Sequence, residues 1–296
     1  MRVLIKALLV LLFPVALAAP AVAEVRVVAT VPNMGMLVRT IGGDDVTVTV
    51  LAPADRDAHY LEARPSMMAA LRRADLVVAV GAELEVGWLP AALQGAHNPR
   101  VQTGRSGYFE GANHTDLIQV GGAADRARGD VHVAGNPHFY FDPERMAEVG
   151  KALAERLADI HPDGADSFRA NAEAFAEQAA AHVSRWQEDA QDTPGVVYYH
   201  KDVDYLAELL GVEILGYIEP LPGIPPTASH LRDLVGALRG TDGVILYADF
   251  QPSQGPDFVA RELGWSAHKL PSQVDVDGDA DDYFAMVGRW VDALRR

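Results

Sequence analysis

The chain has 296 residues, no cysteine and a formal net charge of −16 at pH 7. This acidic balance disfavours nucleic acid as a partner, because phosphates attract lysine and arginine, and it disfavours anionic lipid surfaces. It suits a cationic ligand, although solubility alone explains the charge equally well. The absence of cysteine excludes a disulfide framework, thiolate metal sites and iron–sulfur clusters.

The first 23 residues have the pattern of a secretory signal peptide. Arg2 and Lys6 form a charged start, an apolar stretch covers residues 7–19, and cleavage is expected after Ala23. A membrane anchor is the alternative, but the run falls short of the ~20 apolar residues that a span needs. We therefore expect export to the periplasm. Loss of Arg2 and Lys6 would change the formal charge from −16 to −18.

Short strands alternate with helices in the first part of the mature chain. Apolar and β-branched runs predict strands over residues 25–29, 46–53 and 75–81, and helical spacing predicts a helix over residues 64–74. This alternation predicts a parallel sheet covered by helices on both faces. Residues 104–135 are rich in Gly, Ala and Asp without a steady period, and we interpret them as a long surface loop.

A helical pattern follows from Pro143 to about residue 190, and we interpret it as a rigid connector. Strands then alternate with helices again as far as the C-terminus. The sequence predicts an α/β fold of two similar parallel-sheet lobes with a site in the cleft, because ligands of parallel sheets bind beyond the carboxyl ends of the strands. The predicted units are an N-terminal lobe (24–142), a connecting helix (143–190) and a C-terminal lobe (191–296).

Three of the ten histidines share one setting. His59 lies just after a predicted strand, His138 lies in GNPHFYFDP at the end of the first lobe, and His200 ends the first strand of the second lobe. Neutral imidazole binds Zn²⁺ well, and a nearby carboxylate can hold its second nitrogen. Placement alone leaves two alternatives open, a shared metal site or three unrelated histidines. His132 is assigned to a polar loop.

Five segments carry a resemblance to a known family. In chain order they are DAHYLEARPS, GNPHFYFDP, HKDVDYLAELLG, GIPPTASHLRDLV and VILYADFQPS. Their order and spacing resemble those of the cluster A-I receptors, the periplasmic zinc- and manganese-binding proteins of ABC transporters. The resemblance implies two α/β lobes joined by one long helix, with a metal ion held between them. It also implies that His59, His138 and His200 are ligands.

The sequence departs from this family at the fourth ligand. Many members have an aspartate in an Asp-Pro-Leu-Gly segment, where this chain has LPSQV and no acid before Asp275. Asp249 corresponds to a glutamate often found in the family, and we favour it slightly over Asp275. Glu62 and water are the other candidates. The loop before His138 is also poor in histidine, so capture by a histidine-rich loop is not expected.

We therefore expect an exported receptor that captures a divalent metal ion and delivers it to an ABC permease. Zn²⁺ is favoured over Mn²⁺, because the resembling manganese receptors tend to have a carboxylate at the position of His200. A monomer without enzymatic activity is expected, and an accessory metallochaperone could be a further partner. A three-histidine zinc hydrolase is one alternative, although neither HExxH nor a nucleophile elbow occurs. A metal-chelate receptor of the siderophore type is another.

Overall fold

The computed structural model describes residues 24–121, 132–221 and 223–295. The predicted signal peptide, residues 1–23, lies outside the described residues, as does the central part of the predicted loop over residues 104–135. Within the described ranges, none of the helices combines the length and the apolar character that crossing a bilayer requires.

Two four-stranded parallel sheets form the framework and confirm the predicted fold class. With strands numbered along the chain, the strands of the first sheet lie side by side in the order β2-β1-β3-β4 and those of the second in the order β6-β5-β7-β8. The two sheets therefore have the same topology. The first sheet consists of β1 (Val25–Ala29), β2 (Val46–Val50), β3 (Leu76–Ala79) and β4 (Tyr108–Glu110), and the second of β5 (Gly195–Tyr198), β6 (Ile214–Tyr217), β7 (Gly243–Ala248) and β8 (Ala267–Leu270).

One of these strands corrects the sequence analysis. β4 lies inside the segment that was predicted to be a surface loop, and it pairs in parallel with β3. Phe109 in its centre is buried. Three residues are too few to display the alternation by which a strand is recognised, so this part of the loop prediction was wrong.

Nine helices among the described residues cover the sheets and connect them. Their bounds are α1 (Pro32–Gly42), α2 (Pro65–Arg73), α3 (Leu89–Ala96), α4 (Pro143–Ile160), α5 (Ala165–Asp189), α6 (Asp204–Leu210), α7 (Ala228–Leu238), α8 (Gln254–Leu263) and α9 (Ala280–Leu294).

The two faces of each sheet bury different clusters, because successive side chains of a strand point to opposite faces. Val27 of β1 and Val196 of β5 belong to one large apolar cluster that also contains residues of α1, α4, α5 and α9. Val28 of β1 packs with α2 and α3, and Val197 of β5 packs with side chains of α7 and α8. The large cluster therefore joins both sheets in one continuous core.

The predicted connector consists of two helices, α4 and α5, which pack against each other. Asp142 caps α4 by accepting hydrogen bonds from the backbone N–H groups of Glu144 (2.9 Å) and Arg145 (3.2 Å). A short turn over Pro162–Gly164 separates the two helices. α5 contacts α1 beside the first sheet and both α6 and α9 beside the second. The lobe boundaries at residues 142 and 190 remain predictions.

Candidate metal centre

His59 lies after the carboxyl end of β2 in a short 3₁₀ turn, Ala58–Tyr60. Asp57 begins this turn, and its Oδ1 lies 2.9 Å from the backbone nitrogen and 2.7 Å from the Nδ1 of His59. Burial raises the pKa of Asp57, but its hydrogen bonds to His59 outweigh burial, so the pKa is lowered overall. An ionised carboxylate only accepts hydrogen bonds. Nδ1 of His59 therefore carries the proton, and Nε2 presents a lone pair.

His138 is the most deeply buried histidine of the site, with 4% of its surface exposed. The side chain of Asn136 accepts a hydrogen bond from its backbone N–H at 2.9 Å, and its Nδ1 lies 2.8 Å from the hydroxyl of Tyr140. Its Nε2 is buried without a hydrogen-bond partner. Burial, followed by the charges of the neighbouring histidines, lowers the pKa of His138 well below its ordinary value, which keeps the ring neutral.

His200 lies two residues beyond β5, at the carboxyl end of the second sheet. Its Nδ1 lies 3.0 Å from Oε2 of Glu219, which follows the neighbouring strand β6. Burial lowers the pKa of His200, but the hydrogen bond to Glu219 and the charges of Asp202, Glu219 and Asp57 outweigh burial and raise it overall. As in His59, a carboxylate holds Nδ1 and leaves Nε2 to face the cleft.

A fourth histidine, His132, completes the group. Its Nε2 lies 3.1 Å from Nε2 of His59. Two tetrahedral ligands of one zinc ion have nitrogen atoms roughly 3.3 Å apart, given Zn–N bonds of about 2.0–2.1 Å, so this spacing suits two ligands of one ion as well as a hydrogen bond. Sequence analysis assigned His132 to a polar loop, and the structure instead brings it into the site.

The rings of the four histidines lie near one another. Imidazoles that share a tetrahedral zinc ion have ring centroids roughly 5 Å apart. The observed separations are 5.1 Å for His59–His132, 5.2 Å for His59–His138, 5.7 Å for His138–His200, 6.0 Å for His59–His200 and 6.5 Å for His132–His138.

Acidic groups lie behind these rings. Asp202 is buried, lines a cavity beside His59, His138 and His200, and accepts a hydrogen bond from Gln251 Nε2 at 3.0 Å. Burial raises the pKa of Asp202 to about 7; the charge of neighbouring Asp204 adds to the increase, and His200 opposes it. With Asp57 and Glu219, the surroundings can balance the charge of a bound cation without a carboxylate ligand.

Residues 27–296 match the family described as zinc-uptake complex component A, periplasmic. The chain belongs to this family. The match spans both sheets and all four histidines, and it confirms the resemblance inferred from the five sequence segments. The family consists of uptake components, so the chain is grouped with transport receptors and not with enzymes.

Two curated relatives illustrate the range of this family. The chain is 27% identical over 285 residues to the high-affinity zinc uptake system protein ZnuA of Paracoccus denitrificans, covering 88% of this chain and 86% of that protein. It is 22% identical over 275 residues to the metal ABC transporter substrate-binding lipoprotein SsaB of Streptococcus sanguinis, covering 89% of this chain and 86% of that protein.

The fold is also that of a solved structure, the substrate-binding protein FpvC of Pseudomonas aeruginosa in complex with Mn²⁺. The TM-score is 0.77 at 23% sequence identity, and the match covers 92% of this chain and 97% of that chain. At this identity the likeness concerns the fold alone.

The acidic residues predicted as fourth ligands are Asp249, Asp275 and Glu62. Asp249 and Asp275 are both described, and neither is among the residues that line the cavity beside the histidines. Asp249 is half-buried after β7, where burial raises its pKa, and Asp275 is exposed. Glu62 is exposed and lines an outer pocket with Tyr60 and Arg64. Their roles as ligands remain predictions, with His132 as a competing candidate.

Proposed function

We propose that the chain is an exported receptor that captures Zn²⁺ between its two sheets and delivers it to the permease of an ABC transporter. The observation that carries this proposal is the proximity of His59, His138 and His200, whose ring centroids lie 5.2, 5.7 and 6.0 Å apart, with the ring of His132 5.1 Å from that of His59. Family membership supports the transport role, and the name of the Streptococcus sanguinis relative supports an ABC transporter as the partner. The predicted signal peptide supports the periplasm as the location.

We further propose that His132 is the fourth ligand. Across the described ranges, no group of three or more His, Cys, Asp or Glu side chains is already arranged to hold a metal ion, so the four rings must shift to share one. Three pairs are already close to the expected separation of roughly 5 Å, with ring centroids 5.1, 5.2 and 5.7 Å apart. In the absence of the ion, a proton on His132 Nε2 can bridge to His59.

Four neutral imidazoles favour zinc over manganese. Manganese prefers oxygen donors and stands lowest in the Irving–Williams order, whereas imidazole suits zinc. The carboxylates of Asp57 and Glu219 hold two of the rings by Nδ1, an arrangement that fixes the tautomer and raises the basicity of the ligating nitrogen. Copper is expected to bind at least as tightly as zinc in vitro, so zinc against manganese is the informative comparison.

The test is a competition titration of the mature chain with a chromophoric chelator, using Zn²⁺ and Mn²⁺ separately. We expect one zinc ion per chain and weaker binding of manganese. A crystal structure of the zinc-loaded protein with anomalous scattering would then identify the ligands. Absence of stoichiometric binding would overturn the receptor proposal. Tighter binding of manganese would overturn the choice of metal, and an ion bound without His132 would overturn the fourth ligand.

A further inference from the structure

A strained turn follows the carboxyl end of β3. Gly81, Ala82 and Glu83 have successive positive φ values of 84°, 46° and 69°. Glycine adopts such values readily, but two consecutive residues with a Cβ atom rarely do. Backbone strain of this kind persists where the surrounding structure enforces it, and it concentrates at functional sites. A neighbouring group must therefore hold the backbone of the turn in this conformation.

The local cause is Glu85, whose carboxylate is 3% exposed and occupies the inside of the turn. It accepts hydrogen bonds from the backbone N–H groups of Val80 (2.8 Å) and Gly81 (3.1 Å) and from the hydroxyl of Thr30 (2.6 Å). These three donors satisfy a carboxylate that would otherwise be costly to bury. The turn is consequently held as a rigid unit on the first sheet.

The outer side of this turn touches two segments that carry histidines of the site. Oε2 of Glu83 accepts a hydrogen bond from the backbone N–H of Val133, the residue after His132, at 3.1 Å. The indole N–H of Trp88 donates to the backbone oxygen of Ala58, the residue before His59, at 2.8 Å. These are the two histidines whose Nε2 atoms lie 3.1 Å apart. The turn therefore contacts the segment of one member of that pair through Glu83, and Trp88, five residues further along the chain, contacts the segment of the other.

We propose that Glu83 is a positioning residue for the metal site: it fixes the backbone at Val133 and thereby holds His132 against His59. This inference rests on the proposed function and on His132 as a ligand. The backbone of Val133 is also bonded on its other side, since its oxygen accepts from the N–H of Gly121 at 3.2 Å. Glu83 supplies a contact between this short segment and the turn after β3, and its carboxylate makes the hydrogen bond charge-assisted.

The experiment measures the zinc affinity and the zinc dissociation rate of the full mature chain carrying Glu83→Ala or Glu83→Gln. Partners that orient a metal ligand typically contribute 10- to 100-fold to affinity, and we expect the lower end, about tenfold weaker binding with faster release, for Glu83→Ala. Glu83→Gln keeps an acceptor oxygen, so its zinc affinity should lie between that of Glu83→Ala and that of the parent. Glu110→Ala is the matched control, because Glu110 bonds Tyr108 and Asn113 and its removal changes the charge equally.

A double-mutant cycle with His132→Ala separates positioning from general destabilisation. If Glu83 acts through His132, Glu83→Ala has no further effect in the His132→Ala background. The inference is overturned if Glu83→Ala binds zinc like Glu110→Ala, or if it weakens binding equally in both backgrounds. Should the parent chain bind no zinc, the proposed function itself fails, and that outcome is distinct because it appears before any variant is compared.

Discussion

The two sheets have the same strand order but contribute unequally to the candidate metal centre. Loops that follow strands of the first sheet carry His59, His132 and His138, whereas the second sheet carries His200 alone. The partner of His59 lies two residues away, in the same turn, and the partner of His200 lies 19 residues away, beyond a neighbouring strand. The first side therefore gathers most of the ligands, and the second side completes the site.

The largest expected effect is that of His138→Ala on the first side. Structural zinc sites bind with about 10–16 kcal/mol, so an equal share for each of four ligands predicts a loss of roughly a hundred- to a thousandfold in zinc affinity. His138 is the buried centre of the group, and water cannot easily replace it. A chelator competition gives the affinity, and the circular dichroism spectrum of the zinc-free variant serves as the control for folding. Unchanged affinity would make His138 an ordinary core histidine.

His200→Ala tests the second side of the comparison. His200 is less buried than His138, and water can replace it at a smaller cost, so we expect a smaller loss of affinity than for His138→Ala, accompanied by a faster release of zinc. Stopped-flow transfer of zinc to an excess of chelator measures that rate. Equal losses of zinc affinity for His138→Ala and His200→Ala would show that the unequal distribution of ligands between the sheets does not affect zinc binding.

His132→Ala sharpens the comparison further when it is set beside Asp249→Asn and Asp275→Asn. We expect His132→Ala to weaken zinc binding by about tenfold or more, because a partly exposed ligand can be replaced by water at a smaller cost than a buried one. The two aspartate variants should bind zinc like the parent, since four histidines already fill a tetrahedral site. The opposite pattern, with an aspartate variant weakened and His132→Ala unaffected, would restore the carboxylate ligand.

The smallest effect concerns pH. Zinc binds the neutral ring, and the pKa of His200 is raised because its partner Glu219 and neighbouring acidic groups outweigh burial. Protons therefore begin to compete with zinc at His200 above its usual pKa near 6.5, and affinity falls as the pH falls through that raised value. His138, with its lowered pKa, stays neutral. Glu219→Gln removes the main cause of the increase, so zinc titrations at several pH values should show the decline at lower pH.

The sequence predicted the fold well because its strands and helices have clear periods. The apolar run over residues 76–80 predicted a buried strand, and β3 confirms it. The connector was predicted as helical, but the packing of α4 against α5 depends on distant contacts that periodicity does not record. β4 was missed because three residues carry no periodic signal.

The site was predicted in part, and the limits have physical causes. His59, His138 and His200 each follow or precede a regular element, so topology indicated their common position. His132 lies in a segment rich in Gly, Ala and Asp, and its position depends on the contact between Glu83 and Val133. The turn at Gly81–Glu83 begins at the end of the strand predicted over residues 75–81, and the side chain of Glu85 accepts hydrogen bonds from the backbone there. The signal that could have indicated His132 as a site residue is its position, six residues before His138.

The length of α5 has a consequence for how the receptor can move. Its 25 residues form a rod of about 37 Å, given a rise of 1.5 Å per residue, and it packs beside both sheets within one continuous core. A hinge needs a few residues that absorb a large backbone rotation, and the middle of such a rod offers none. Opening by rotation of one whole half against the other would break the shared core. The mobility needed to admit and release an ion is then left to the loops, which move on the nanosecond to microsecond scale.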